Sequence, residues 1–245
     1  MTDIPFGVSR LDSIIGGGVP AGNVVLLVGE AGAGAREFLY TSAAMTALSH
    51  ADPELFDLYY GDLADDARLP PEVHYLSFTA DKSYIEREMA YTMDDEIVDA
   101  AVDRIQFRDF SPEYFQLSPI PRDWYMEETT SLQDLGTRHD RDGVVSALGD
   151  YLSAHASENL VLVDSISDLA GAVDDDLTWN DITMLMRGLM KAAHQWVGLS
   201  SSSGSPGDHS EHGRWSFGRF GASSRDSNRR TSSASRRRST IGVST

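Results

Sequence analysis

An open parallel α/β sheet with crossover helices is the fold class the sequence predicts, and three observations predict it. Nearly all-apolar short runs at Asn23–Val28 and Leu160–Val163 suit strands buried on both faces. Apolar residues elsewhere recur at helical spacing, as in Val144, Val145, Leu148, Tyr151 and Leu152. Strand and helix patterns then alternate along residues 1–198, as expected of parallel strands joined by helices.

Taken in order, Asn23–Val28 is the first strand, bounded by Gly22 and Gly29, and Glu37–Ser49 the first long helix. A loop is expected from His50 to Pro71, acidic and interrupted by Pro53, Gly61, Pro70 and Pro71. Val73–Thr79 is the next strand, Lys82–Ala101 a helix-compatible stretch, and Arg104–Phe110 a third strand. Tyr114, Phe115, Trp124 and Tyr125 mark an aromatic, Pro-containing stretch from Ser111 that anchors a loop. A helix over Arg141–Ala156 leads into Leu160–Val163, which ends at Asp164. In Asp181–Trp196, the set Ile182, Leu185, Met186, Leu189, Ala193 and Trp196 forms one helix face.

At 245 residues and 41% hydrophobic content, the chain can fill one substantial core. It has no cysteine, which excludes disulfide frameworks, zinc ribbons and cysteine nucleophiles. Met1–Arg10 has no basic stretch followed by an apolar one, and no apolar run approaches membrane-span length, so a cytoplasmic protein without a membrane partner is expected. The net charge of -18 is uneven: residues 199–245 hold eight Arg against Asp208, Glu211 and Asp226, a local +5, leaving -23 on residues 1–198. With 26 Asp to 12 Glu and only Lys82 and Lys191 beside 18 Arg, the bias is similar to that of proteins from salt-loving archaea. At molar salt the screening length is only about 3 Å, which mutes the self-repulsion of such a surface.

Gly29-Glu-Ala-Gly-Ala-Gly34 lies between the first strand and the first long helix, where backbone N–H groups and the helix dipole can hold phosphate oxygens. Its glycines fit the frame G-x-x-x-x-G, whereas the dinucleotide pattern fails because Glu37 stands where a third glycine is needed. A working phosphate loop continues with Lys, for the β and γ phosphates, and Ser or Thr, for magnesium. Ala35 and Arg36 occupy those places. Arg36 can pair bidentately with a phosphate or remain an exposed helix side chain.

The stretch Phe6-Gly-Val-Ser-Arg-Leu-Asp-Ser-Ile-Ile-Gly-Gly-Gly-Val-Pro followed by this loop resembles the opening of RecA-like ATPases of the KaiC and archaeal RadA group. Leu160-Val-Leu-Val-Asp-Ser165 is similar to that family's second nucleotide motif, which implies that Asp164 orients magnesium. The resemblance covers about 160 residues and implies a RecA-like fold. KaiC-like members end the strand after the loop helix with two Glu, where this chain has Thr79 and Ala80, with Asp81 adjacent. With Lys, Ser or Thr and the Glu pair missing, the likeness is to degenerate KaiC-like proteins of haloarchaea labelled HTR-like. It implies weak ATP and magnesium binding through Gly29, Gly32, Gly34, Ala35, Arg36 and Asp164, little or no hydrolysis, and a regulatory or signalling role in a homo-oligomer or with a protein partner. Two alternatives stay open: an active recombinase-type ATPase acting on DNA, and a structural paralogue without ligand.

Asp174, Asp175, Asp176 and Asp181 read as a solvated acidic loop or an oxygen-ligand metal site. His209 and His212 flank Glu211 without a third ordered ligand, and Ser165 lacks a nucleophile elbow. From Leu199 onward, 15 Ser, eight Arg and six Gly in 47 residues leave no apolar period. Arg229, Arg230 and Arg236–Arg238 suit a nucleic-acid arm. A frameshift explains more: leucine CTC codons read one base out of phase give serine TCC, and Gly198-Leu-Ser-Ser-Ser-Ser-Gly204 stands where the family continues with Leu and Val. The expected domain is then residues 1–198, truncated at its C-terminal strands.

Overall fold

The computed structural model describes residues 2–29, 32–115, 118–121, 124–125, 143–168, 184 and 186–194, all within the unit Met1–Ser205. An antiparallel pair, β1 (Asp3–Ile4) and β2 (Val19–Pro20), encloses helix α1 (Ser9–Ile15). Helices α2 (Ala35–Ala51) and α3 (Pro53–Tyr59) precede strand β3 (Val73–Ser77). Helices α4 (Lys82–Thr92) and α5 (Asp95–Ala101) lead through a short 3-10 turn into β4 (Ile105–Asp109). Then come α6 (Ser111–Phe115), α7 (Gly143–His155) and β5 (Leu160–Asp164). Residues 186–194 are helical.

The three-stranded sheet has the order β4-β3-β5, with β3 parallel to both neighbours. Parallel neighbours need crossovers, which α4 and α5 supply between β3 and β4, and α6 and α7 between β4 and β5. β3 is buried at every position because both faces are covered. Val73 and Tyr75 meet Tyr40, Ala44 and Leu48 of α2 together with residues of α3, α4 and α5. Leu76 and the following Phe78 turn to the other face, with Phe110, Val144, Leu148 and Leu152. The strand's period of two thus divides the core into two layers. Leu189 packs against the second layer, and Ala193 is buried, in line with the expected helix face. Ile182, Leu185 and Trp196 lie outside the described residues.

Several expectations need correction. Residues 23–28 form no strand, and Val25, Leu26, Leu27 and Val28 are 51, 41, 45 and 73% exposed. Their composition suits a buried strand, but among the described residues no strand pairs with them, and β5 pairs with β3 alone. Within the expected loop from His50 to Pro71, Pro53 opens α3 instead of breaking structure. Asp52 caps that helix by accepting from Leu55 N at 3.0 Å, and Pro is tolerated in the first turn because its missing N–H had no partner there. The stretch 82–101 divides at Met93, whose extended backbone separates α4 from α5. The aromatic stretch, expected as a loop, opens instead with α6, and its rings pack together: Tyr114 and Phe115 lie 4.7 Å apart edge to face, and Phe115 packs 5.5 Å from Tyr125. Among the described residues no helix is long and apolar enough to cross a membrane.

The amino-terminal segment is tied to Tyr60, just after α3, by a buried carboxylate. Asp12 accepts from Phe6 N at 2.8 Å, Val8 N at 3.1 Å and the Tyr60 hydroxyl at 3.1 Å. The burial and the neighbouring Asp12 charge push the Tyr60 hydroxyl well above its ordinary pKa. Phe6 also packs edge to face against Phe38 of α2, with ring centres 5.5 Å apart. Gly18 closes the ribbon at φ +135°, where a Cβ would collide with the Ile4 carbonyl oxygen.

Candidate functional site

The glycine loop leads into α2 through left-handed backbone at Gly32 (φ +81°) and Gly34 (φ +85°). Glu30 and Ala31 lie outside the described residues. Gly34 is the N-cap, and among the described residues no side chain caps the helix. The first turn of this 17-residue helix therefore presents N–H groups without a side-chain acceptor, at the positive end of the dipole. Ala35, the first helical residue, contributes only a methyl group. Gly29 is exposed, and Glu37 places an acidic group in the first turn, its Oε2 3.9 Å from where a Cβ on Gly34 would stand.

Arg36 does not project free of the helix. Its Nε lies 2.9 Å from Asp164 Oδ2, and its Nη2 donates to Oδ1 at 3.4 Å, an approximately bidentate pair across 128 residues of sequence. Asp164 is the last residue of β5, beside Ser77 in register. Its side chain is 7% exposed, against 43% for Arg36. The Tyr75 hydroxyl donates to Oδ2 at 3.0 Å. Tyr75 lies two residues before Ser77, hence on the same face of β3 and diagonal to Asp164, within reach of a long side chain. Tyr75 is not among the residues expected at the site: it is one of three polar side chains in β3, with His74 and Ser77, and nothing in the sequence sets it apart from them.

The charges respond accordingly. Burial works against the Arg36 cation, but the Asp164 carboxylate outweighs it and raises the guanidinium pKa. Burial, and then the Asp164 charge, push the Tyr75 hydroxyl far up, so it remains a donor. One turn beyond Arg36, Tyr40 packs 5.8 Å from the Tyr75 ring. Burial raises the Tyr40 hydroxyl to about 12, and it has no hydrogen-bond partner among the described residues.

Other expected groups are committed elsewhere. Thr79 is exposed and Ala80 half-buried. Asp81 caps α4, accepting from Ser83 Oγ at 2.7 Å and Tyr84 N at 2.8 Å, which holds its carboxyl below the usual range. Ser165 Oγ donates to Asp168 Oδ2 at 2.9 Å and accepts from Asp168 N at 3.2 Å, a local turn. Asp174, Asp175, Asp176, Asp181, His209, Glu211, His212 and the arginines of the tail lie outside the described residues.

The donor set does not fit a divalent cation. Magnesium prefers six oxygens in near-ideal octahedral geometry. Both oxygens of Asp164 already face donors, one of them cationic, and the described residues contain no cluster of three metal-ligating side chains. A cleft of about 130 Å³ lined by Thr46, His50, Val73 and Arg104 lies at the other end of β3, too small for a nucleotide. Fold and site together define a mixed α/β protein in which a glycine loop, a helix N-terminus and a strand-end carboxylate converge. No protein-family model, curated protein or solved structure matches the chain.

Proposed function

We propose that this chain is a degenerate RecA/KaiC-like domain that holds the phosphates of a nucleotide such as ATP weakly at the Gly29–Gly34 loop, without appreciable hydrolysis. Its role is regulatory, exerted through a homo-oligomer or a protein partner. The observation that carries this reading is the convergence of the uncapped start of α2, entered through left-handed Gly32 and Gly34, with the Arg36–Asp164 pair. N–H groups and an arginine fork both suit phosphate oxygens. Ala35 in place of Lys, and Thr79 and Ala80 in place of two acids, remove the mobile cation and the water-polarising pair on which phosphoryl transfer would rely at these positions.

Calorimetric titration of ATP into the full chain in molar KCl, combined with amide exchange of the loop, tests this. Weak binding, protection of residues 29–34 and absence of turnover are expected. Turnover abolished by Asp164→Ala would make the chain an ATPase; no heat and no protection would leave the ligand-free alternative.

A further inference from the structure

At the end of β5, a side chain holds the position at which the nucleotide motif calls for a metal. We infer that the Arg36 guanidinium substitutes for the divalent cation at Asp164, so that this site takes metal-free polyphosphate in preference to the magnesium complex. Its phosphate part rests on the function proposed above.

Three observations lead there. First, the carboxylate already accepts from three donors: Arg36 Nε and Nη2 reach its two oxygens at 2.9 and 3.4 Å, and the Tyr75 hydroxyl reaches Oδ2 at 3.0 Å. A divalent ion at Asp164 would have to compete with these donors and stand close to a fixed positive charge. Secondly, among the described residues the arginine donates to Asp164 alone. A guanidinium carries five N–H donors in a rigid fork, and two are spent on Asp164, leaving three. With its side chain 43% exposed, those donors are open to a ligand in solution. Thirdly, Arg36 lies in the first turn of α2, beside the uncapped N–H groups. An anion there meets the helix dipole and the arginine together.

The chemistry follows from charge. A tethered guanidinium supplies one positive charge, permanently, at a place where magnesium would bring two. Polyphosphate that already carries magnesium has given up negative charge and phosphate oxygens to the metal, and it brings a cation towards Arg36. The metal-free anion therefore binds more tightly. Asp164 acts as a positioning residue: it fixes the fork, and the fork meets the phosphate.

The test uses the full chain in molar KCl, with tripolyphosphate and manganese as probes. Calorimetry with tripolyphosphate in EDTA should give binding at least threefold tighter than in excess Mg2+, and Arg36→Met should reverse that order. Without phosphate, Mn2+ should leave the Asp164 and Ser165 amide resonances of the unmodified chain no broader than in Asp164→Asn, and should broaden them in Arg36→Met. Tighter binding with Mg2+ in the unmodified chain, or Mn2+ broadening at Asp164 that Asp164→Asn removes, would overturn the substitution. So would an Arg36→Met chain that folds by circular dichroism yet gains no broadening. If that variant does not fold, the comparisons on the unmodified chain and Asp164→Asn still decide. Absence of tripolyphosphate binding in every condition would sink the phosphate reading, while the manganese pattern, which needs no phosphate, decides separately on the arginine.

Discussion

The guanidinium of Arg36 and the carboxylate of Asp164 meet at 2.9 Å, joining the first turn of the helix after the glycine loop to the end of an edge strand of the parallel sheet. The partners are unequally buried, and that asymmetry sets what each contributes. Asp164 would be left nearly dehydrated if its cation were removed, whereas Arg36 would regain water easily.

Arg36→Ala should therefore destabilise the chain by about 1–2 kcal/mol, below the range for fully buried pairs because the arginine is partly solvated. Asp164→Asn, which still accepts from Tyr75, should lose less. The double variant should lose less than the sum of the two, since the isolated charge is gone. Urea melts of the four chains measure the coupling, and simple additivity would show that the pair contributes nothing.

Tyr75→Phe isolates the remaining contact. It leaves ring packing against Tyr40 and Phe107 in place while deleting the hydroxyl that donates to Asp164 at 3.0 Å. A buried hydrogen bond to a charged acceptor implies a loss of about 1.5–3 kcal/mol by urea melt. An unchanged midpoint would mean that Arg36 alone satisfies Asp164.

How much of this was legible in sequence differs by element. β3, with His74 and Ser77 in it, was readable by its place between helical stretches, whereas β5 was readable because a strand covered on both faces is apolar, as Leu160–Val163 is. The same criterion failed at Asn23–Val28, since composition states what a segment would bury and not whether a partner strand is present. α3 was missed because Pro53 was weighed as a breaker, while its place directly after the capping Asp52 makes it a helix start. In the site, Gly32, Gly34, Arg36 and Asp164 were each visible as residue types. Their pairing was not, because a contact across 128 residues depends on the register of β5 beside β3. Tyr75 was hidden for the same reason.

Acid should weaken the opposite end of the sheet. His74 is 2% exposed, with Nδ1 2.9 Å from the Tyr151 hydroxyl and Nε2 3.3 Å from Glu72 and 3.4 Å from Asn159. Burial lowers its pKa below 6.5 and the nearby His155 adds to this, while Glu72 only partly opposes it. As pH falls, the unfolded chain takes up this proton before the folded one, so the stability held by neutral His74 is complete above about 6.5 and is lost progressively below it. Thermal midpoints should fall on acidification through that window, and His74→Gln should flatten the slope. An equal slope in the variant would assign the effect to other groups.

Asp12→Ala removes the acceptor shared by Phe6 N, Val8 N and the Tyr60 hydroxyl. Three donors in a largely buried place then lose a charged partner, at a cost of about 3 kcal/mol. Amide exchange should rise in residues 3–20 well before it rises in β3. Uniform exchange across both would show that this corner unfolds only with the whole.

The exposed apolar run Val25–Val28 and the composition break after Leu199 support the same prediction. If residues 199–245 are a frameshift product, the DNA across codons 185–245 and downstream should encode a Leu- and Val-rich strand in another frame. The restored chain should then cover the run. In the present chain, Leu27 is 45% exposed, so Leu27→Ser should change stability by no more than about 0.5 kcal/mol. In the restored chain, with Leu27 in a strand between neighbours, the same substitution should cost about 2–4 kcal/mol, as for other large-to-small changes in a packed core. Urea melts of the two pairs make the comparison. Small costs in both would mean that Val25–Val28 is not an uncovered strand of this sheet, and the Ser- and Arg-rich segment would then need a function of its own, with salt-dependent nucleic-acid binding the first to measure.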